Sequence, residues 1–357
     1  MNIVLNDTAV SADLYPFGLV NTLSNIRVGI VTVKERWQII TGANVFESEA
    51  AFYNEHNTEA IDYIINANLI ITQKWWDDMP PFLSKTYVEG ILTDSTFNKT
   101  IQYPWQIFQY NDWAIRNDFE LITANKISQP IPKSNKVVLP NHIFIEEGAI
   151  VENAYLNATT GPIYIGKNAE VMDGCMIRGP FALCENAVLK MGSKVYGATT
   201  IGPNCIAAGE IKNSILMANS NKAHDGYLGD SVIGEWCNLG AGTTNSNVKN
   251  TAGIVKVWHQ ASMQQIPVGN KCGLIMGDYS RAAINTSFNT GTMVGVCCNI
   301  FGNNYPPKHV PSFSWGSQQY QLQKAFIDID NWKKFKGKEI TAVEKIALQN
   351  LYHQLTK

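Results

Sequence analysis

The stretch IYIGKNAEVMDGCMIRGPFALCENAVLKMGSKVYGATTIGPNCIAA, residues 163–208, has the most regular pattern in the chain. From Ile165 onward every sixth residue is aliphatic: Ile165, Val171, Ile177, Leu183, Leu189, Val195, Ile201 and Ala207. A helix with a period of 3.6 residues cannot hold a step of six over this length. A coil of three short strands produces a step of six, because one aliphatic side chain per corner then points inward and small residues fit the tight corners. The stretch therefore predicts a left-handed parallel β-helix of hexapeptide repeats.

The six-residue rhythm is interrupted twice further along the chain. It is lost between residues 209 and 232, returns with Ile233 and Leu239, and is lost again over about 246–268. It then resumes at Met276, Ala282, Phe288, Val294 and Ile300. We interpret both breaks as loops thrown out from a corner of the solenoid, and loops carry function more often than their scaffold does.

The flanking segments have other patterns. Residues 1–125 predict a mixed α/β domain: a strand at NIVL, a strand followed by a helix in 26–41, a strand at the end of 60–72, and one long helix in 103–123. Residues 126–140, rich in proline and polar residues, predict a linker, and 141–302 the β-helix. Residues 303–357 predict a proline-rich loop that ends the β-helix, then two amphipathic helices with a break near Gly337.

Composition excludes several classes of function. The 357-residue chain has a net charge of −2, which gives no electrostatic footprint for nucleic acid or an acidic membrane. It has neither a signal peptide pattern nor a membrane-length apolar run. Its six histidines and seven cysteines form no metal-ligand spacing, so we expect no metal site in them. Scattered cysteines without a disulfide framework fit a reducing compartment, and we expect a cytoplasmic protein.

The first break carries a motif. The stretch EIKNSILMANSNKAHDGYLGDSVIGEWCNLGAGTTNSN, residues 210–247, resembles the acetyltransferase half of the bifunctional N-acetylglucosamine-1-phosphate uridyltransferase/glucosamine-1-phosphate acetyltransferases. It also resembles archaeal sugar-1-phosphate nucleotidyltransferases with a similar β-helix. The shared pattern is a lysine, a histidine, a tyrosine followed by LGD, and an asparagine before LGAGT. This resemblance implies a trimer with active sites in the grooves between the β-helices of neighbouring subunits.

The resemblance also implies a mechanism of direct acetyl transfer to a sugar amine. His224 matches the catalytic base, and a histidine with an ordinary pKa near 6.5 can accept the amine proton. Ala241 matches the residue whose N–H stabilises the oxyanion. Without the resemblance, His224 is an ordinary exposed loop histidine and LGAGT a tight solenoid corner.

Five further positions match substrate-binding residues of that family. They are Lys212 for the sugar phosphate, Tyr227 and Asn238 for the sugar, Asn247, and Lys194. Lys194 stands where the family has a phosphate-gripping arginine, and it cannot make the same planar fork. The family tyrosine after Asn247 is Val248 here, and Lys256 stands near a later lysine that we assign to the cofactor, acetyl-CoA or another acyl-CoA. The acceptor could therefore differ from glucosamine 1-phosphate. The alternatives to substrate binding are that the lysines are ordinary solvated charges, that Tyr227 only packs against its loop, and that Asn238 only hydrogen-bonds asparagines of neighbouring coils.

The N-terminal region resembles a shortened sugar-nucleotidyltransferase domain. It keeps the opening strand but lacks the glycine-rich loop that cradles nucleotide phosphates, and Gly18 is isolated. Arg27 and Lys34 are candidates for a nucleotide phosphate, with ordinary surface cations as the alternative. Mg²⁺ is expected only if this half is active.

Three hypotheses follow. The first is an acyl-CoA-dependent transferase acting on an amino sugar phosphate or nucleotide sugar. The second is a sugar-1-phosphate nucleotidyltransferase whose β-helix serves for oligomerisation. The third is a non-enzymatic binding or assembly module. The missing glycine-rich loop argues against the second, and the histidine motif argues against the third. The resemblance implies a homotrimer.

Overall fold

Short parallel strands stack into three flat faces in the computed structural model, which describes residues 1–8, 10–55, 60–78 and 94–355. Face one holds Lys136–Val138, Tyr155–Asn157, Met176–Arg178, Lys194–Tyr196, Glu210–Lys212 and Tyr227–Gly229. Face two holds Ile143–Ile145, Ile163–Ile165, Phe181–Leu183, Thr199–Ile201, Ile215–Leu216, Val232–Ile233, Leu274–Met276, Thr292–Val294 and His309–Val310. Face three holds Ile150–Val151, Glu170–Val171, Val188–Leu189, Ile206–Ala207, Asn221–Lys222, Asn238–Leu239, Arg281–Ala282, Asn299–Ile300 and Ser314–Trp315, with Gln318–Gln319 antiparallel at its end.

The predicted β-helix is confirmed as a parallel β-solenoid, and its left-handedness stays a prediction. Each repeat position from Ile165 to Ala207 is buried in the core between the three faces. The solenoid is longer than predicted, because its first strand starts at Lys136 and a last coil includes His309–Val310 and Ser314–Trp315. The prediction that residues 303–316 end the β-helix was therefore wrong. The prolines lie outside these two short strands, where no ladder N–H is lost.

The two breaks in the rhythm have different structural causes. Through the first break the strands continue, and the coils become shorter: the inner position of face three moves from Ala207 to Lys222, a step of fifteen, and then to Leu239. The interpretation of this break as a loop thrown out of the solenoid was wrong. The second break does contain an excursion, an antiparallel hairpin of Val255–His259 and Gln264–Gly269. A short pair, Thr244–Asn245 and Ser287–Phe288, continues face one beyond Tyr227–Gly229.

The N-terminal part is α/β, as predicted. Strands β1 (Asn2–Asn6), β2 (Asn44–Phe46) and β3 (Tyr63–Asn66) form a parallel sheet in the order β2-β1-β3. Strands β4 (Leu69–Ile71) and β5 (Asn98–Thr100) pair antiparallel. Helices are α1 (Val33–Thr41), α2 (Glu49–Glu55), α3 (Gln73–Asp77), α4 (Gln106–Gln109) and α5 (Asn111–Thr123), with 3₁₀ turns at Leu23–Asn25 and Pro140–His142.

Two sequence expectations for this part were wrong. Residues 26–32 form no regular strand, because side chains take the place of a neighbouring strand. Asn111 accepts the Gly29 N–H at 2.8 Å, and Asp118 accepts the N–H groups of Ile30 at 2.7 Å and Val31 at 3.3 Å. The predicted long helix over 103–123 is divided near Tyr110 into α4 and α5.

Two surfaces of the solenoid are covered by the flanking parts. The N-terminal part packs on face two, where Asn111 donates to the Ala198 carbonyl at 2.9 Å. The predicted C-terminal helices are confirmed as α6 (Leu322–Lys334) and α7 (Ala342–Leu355), and they pack against the corner between faces two and three around Trp236 and Tyr279. None of the helices in the described ranges is both long and apolar enough to cross a membrane.

Two carboxylates meet where all three parts of the chain join. Asp278 accepts the Glu235 N–H at 2.8 Å, and the Asn21 amide lies 3.4 Å from a Glu235 oxygen and 3.5 Å from an Asp278 oxygen. Burial raises the pKa of both carboxyl groups, and the Asp278 charge raises that of Glu235 further. The folded state therefore prefers these acids protonated.

A raised folded-state pKa predicts how stability changes with pH. Stability that depends on the protonated acids is present at low pH and is lost as pH rises through the folded-state values. We expect Glu235→Gln to stabilise the protein more at pH 8 than at pH 5, measured by urea unfolding at both values. An equal change at the two pH values would contradict this account.

Candidate active site at a solenoid corner

The corner that leads from face three to face one stacks the turns 208–209, 223–226 and 240–243, and we call it the histidine corner. His224 lies in the middle turn and its side chain is exposed. The Gly242 N–H donates to the Asp225 carbonyl at 3.1 Å, so the LGAGT turn lies directly above the turn of His224. In the next coil the Asn285 N–H donates to the Ala241 carbonyl at 2.7 Å. The structure thus brings His224 and Ala241 together.

Both groups at this corner are available to a ligand. The Ala241 N–H makes no hydrogen bond within the described ranges of the chain. The same holds for the His224 imidazole, which has neither a hydrogen-bond nor an ion-pair partner among those residues. An unengaged backbone donor beside an unengaged histidine is an arrangement that can accept a proton and stabilise an oxyanion.

Tyr227 lies beside the histidine corner, at the start of its strand on face one. Its side chain runs along the strand over Gly229: a Cβ at Gly229 would lie 2.2 Å from the tyrosine hydroxyl oxygen. Burial raises the pKa of Tyr227, and the charge of Asp230 raises it further. The phenol therefore stays protonated at neutral pH and can donate a hydrogen bond.

Asp230 organises the other edge of face one. This buried carboxylate accepts the Asn213 side-chain amide at 2.7 Å and also the Asn247 side-chain amide. The Asn247 side chain also acts on Tyr227, whose pKa it lowers against the larger effect of burial. Asp230 belongs to the LGD motif, but the sequence assigned it no role, because only the fold places its carboxylate between the two asparagines.

The predicted lysines of face one lie on its outer side. Lys194, Glu210 and Tyr227 occupy one row across neighbouring strands, and Tyr196, Lys212 and Gly229 occupy the next. The Lys212 ammonium lies 5.7 Å from the centre of the Tyr196 ring, whose hydroxyl donates to Glu210 at 2.6 Å. No ion pair engages Lys194 or Lys212 among the residues described, so both cations are open to an anion.

Other predicted site residues lie elsewhere. Asn238 is on the outer side of face three, in register between Asn221 and Arg281, so one chain does not bring it to the face-one residues. Lys256 is exposed on the hairpin, whose neighbouring residues Val255 and Val257 pack into the cluster that includes the N-terminal part.

The two nucleotide candidates have carboxylate partners. Arg27 is buried, donates to the Ile30 carbonyl and lies 3.4 Å from Glu35, and it lines a cavity of about 540 Å³ beside face two. The Lys34 ammonium lies 3.0 Å from Glu47. Their nucleotide role stays a prediction.

Comparisons with known proteins found relatives of this chain. The chain is 31% identical over 224 residues to the Bifunctional protein GlmU of Methanocaldococcus jannaschii, a match that covers 63% of this chain and 48% of that protein. The chain is similar to the GlmU proteins. The resemblance inferred from residues 210–247 is therefore confirmed. The Methanococcus vannielii GlmU is 26% identical over 246 residues, which are 69% of this chain and 53% of that protein.

A third relative carries a descriptive name. The Bifunctional sugar-1-phosphate nucleotidylyltransferase/acetyltransferase of Sulfurisphaera tokodaii is 29% identical over 205 residues, covering 56% of this chain and 43% of that protein. The chain thus spans about half the length of the curated relatives it matches. No protein-family profile matches it. The acetyltransferase domain of PglB from Neisseria gonorrhoeae FA1090 aligns with 87% of this chain and 95% of that one at 13% identity, but its TM-score of 0.12 carries no argument.

Proposed function

We propose that this chain is an acyl-CoA-dependent transferase, with acetyl-CoA as the first candidate donor, that acylates the amino group of a sugar phosphate or nucleotide sugar. The observation that carries the proposal is the stacking of the His224 turn directly beneath the Ala241 turn, with both the imidazole and the Ala241 N–H unengaged. The similarity to the GlmU proteins supports it.

In the proposed reaction the amine nitrogen attacks the thioester carbonyl in a ternary complex. His224 takes the proton that the nitrogen loses as the C–N bond forms. The Ala241 N–H donates to the oxyanion of the tetrahedral intermediate. The intermediate collapses with cleavage of the C–S bond, and His224 returns its proton to the departing thiolate to give CoA. No covalent acyl-enzyme is required.

The acceptor contacts would come from face one. Lys194 and Lys212 supply positive charge for the phosphate, and Tyr227 and Asn247 supply hydrogen bonds to the sugar. Asn238 would be contributed by a neighbouring copy, because it lies on a different face. Exposed apolar side chains near face one and the histidine corner favour a homotrimer: Tyr155, Met176, Met191 and Ile284, between 46% and 69% exposed. Lys256 stays a candidate for the acyl-CoA. The buried free cysteines support the proposed cytoplasmic location.

The test is a CoA-release assay on the full chain with acetyl-CoA and a panel of amino sugar 1-phosphates and nucleotide-linked amino sugars. We expect acceptor-dependent release with at least one of them, and a release rate that no acceptor changes would refute the acyltransferase. Release of pyrophosphate from a nucleoside triphosphate and a sugar 1-phosphate would instead support the second hypothesis, for which Arg27 and the cavity beside it are the structural candidates and Mg²⁺ the expected metal. If neither activity is detected, the third hypothesis, a non-enzymatic binding or assembly module, is supported.

The position of Tyr227 gives a second prediction. Gly229→Ala should displace the tyrosine hydroxyl without breaking the strand, since the three atoms nearest to the new methyl group all belong to the movable Tyr227 side chain. We expect the acceptor KM to rise about tenfold, the effect of losing one hydrogen bond, and Tyr227→Phe to behave similarly. Gly253→Ala is the matched control, because its Cβ would meet only Thr251 at 3.5 Å. An unchanged KM in Gly229→Ala would remove Tyr227 from the acceptor site.

A further inference from the structure

One inward-facing residue of face three is charged, although the residues at the equivalent position in the other coils are aliphatic. The inner positions of face three, read in register from coil to coil, are Val151, Val171, Leu189, Ala207, Lys222, Leu239, Ala282 and Ile300. Seven of these side chains are aliphatic and one is a lysine. Lys222 is 2% exposed, two residues before His224.

The lysine side chain leaves the column and ends at the histidine corner. Its ammonium donates to the carbonyl of Ala208 at 2.9 Å and to the carbonyl of His224 at 2.9 Å. These carbonyls belong to consecutive coils. The space for the ammonium depends on Gly209, where an added Cβ would lie 3.0 Å from the lysine nitrogen. Lys222 therefore ties the turn of His224 to the turn below it.

A buried ammonium is an unusual choice for this position. Lys222 makes no ion pair with a carboxylate in the described part of the chain, and burial lowers its pKa to about 8, against the opposing effect of Asp225. Removing a charge from water costs free energy that a leucine or valine here would not incur. An aliphatic side chain would fill the column without this cost, so the two carbonyl contacts point to a role for the lysine at this corner.

We propose that Lys222 is a positioning residue that fixes the main chain of His224 beneath Ala241. The turn 223–226 contains Gly226. Among the described residues, one backbone hydrogen bond joins it to the turn above, from Gly242 to Asp225, and one joins it to the strand below, from the Glu210 N–H to the Gly226 carbonyl at 3.3 Å. The lysine holds the same turn from below, at the carbonyl of the histidine itself. The catalytic part of this inference rests on the proposed function, and its structural part does not.

The test compares Lys222→Met with the wild type. Methionine fills the aliphatic column and cannot bind the two carbonyls, so the melting temperature should stay the same or rise. We expect amide exchange in the peptide covering 223–243 to become at least about tenfold faster, with exchange in 163–171 unchanged. CoA release should show a kcat lowered about tenfold or more with an acceptor KM changed less than twofold, because the base is misplaced while the face-one contacts persist.

The control and the contrary outcomes are as specific. Leu189→Met puts the same side chain two coils earlier in the same column and should change neither exchange at 223–243 nor kcat. If Lys222→Met exchanges like the wild type at 223–243, or if exchange accelerates throughout the solenoid as the melting temperature falls, the positioning role is wrong. Should Lys222→Met not fold, Lys222→Gln replaces it in the same measurements. If the wild type releases no CoA with any acceptor, the proposed function fails, and the exchange data alone decide whether Lys222 fixes the turn.

Discussion

His224→Ala should lower the rate of acceptor-dependent CoA release by about 10²- to 10⁴-fold, the usual contribution of a general base. The His224 imidazole is exposed and lacks an internal partner among the described residues, so its removal should leave the fold and the melting temperature unchanged. The measurement is initial rate of CoA thiol formation at saturating acyl donor, with circular dichroism of the same preparation as the check on folding.

His142→Ala provides the matched control, since His142 is another exposed histidine of the solenoid, in the 3₁₀ turn Pro140–His142. It should retain wild-type activity. Equal rates for the wild type and His224→Ala with every acceptor would exclude the histidine corner as the site of proton transfer.

Arg36→Leu should destabilise the protein by about 3–5 kcal/mol, the cost of leaving one partner of a buried ion pair behind. The Arg36 guanidinium lies 2.7 Å from Asp118, and both side chains are 1% exposed. Asp118 also accepts the N–H groups of Ile30 and Val31, so it holds the irregular segment 28–31 against α5. Without the arginine, this buried carboxylate would lose its ion-pair partner and would keep the N–H groups of Ile30 and Val31 and the more distant charge of Arg27. Urea unfolding followed by tryptophan fluorescence measures the loss.

Two further variants separate this effect from a general sensitivity to charge removal. Lys74→Ala breaks an exposed pair with Asp78 at 2.9 Å and should cost less than about 1 kcal/mol. Arg36→Leu combined with Asp118→Asn should recover much of the stability, because no unpaired carboxylate remains buried and the amide oxygen can still accept the N–H groups of Ile30 and Val31. A cost for Arg36→Leu as small as that for Lys74→Ala would show that the pair does not stabilise the fold.

The repeat made most of the fold predictable. An aliphatic residue at every sixth position from Ile165 to Ala207 specifies the inner wall of each coil whatever surrounds the solenoid, because each coil pairs only with its neighbours. The first break could not be read in this way. An interrupted six-residue pattern looks the same in sequence whether residues are looped out of a coil or missing from its corners. The pairing of Ala207 with Lys222 shows that the coils here are shorter.

The candidate site was predictable in its residue types and only partly in its arrangement. The histidine motif named His224 and Ala241 as candidates but placed His224 in a loop outside the solenoid. Only the structure shows, through the hydrogen bond from Gly242 to Asp225, that their turns stack on consecutive coils. The motif did not reveal Asp230 as the partner of two asparagines, and it did not reveal Lys222, whose signal is a charged residue in an aliphatic column. That column becomes visible only once the coil lengths are known.

The solenoid and the helical tail could be predicted from the chain alone, since both depend on patterns among residues close together in sequence. The resemblance added the histidine and the glycine-rich turn as candidates for one site. Which surfaces of the solenoid are covered could be seen only in the folded chain. The N-terminal part occupies face two and the C-terminal helices the next corner, leaving Lys194, Lys212 and Tyr227 on face one with the histidine corner beside them. These choices depend on contacts between residues far apart in sequence, such as Asn111 with Ala198, and the free energy of such contacts has no periodic signature in the chain.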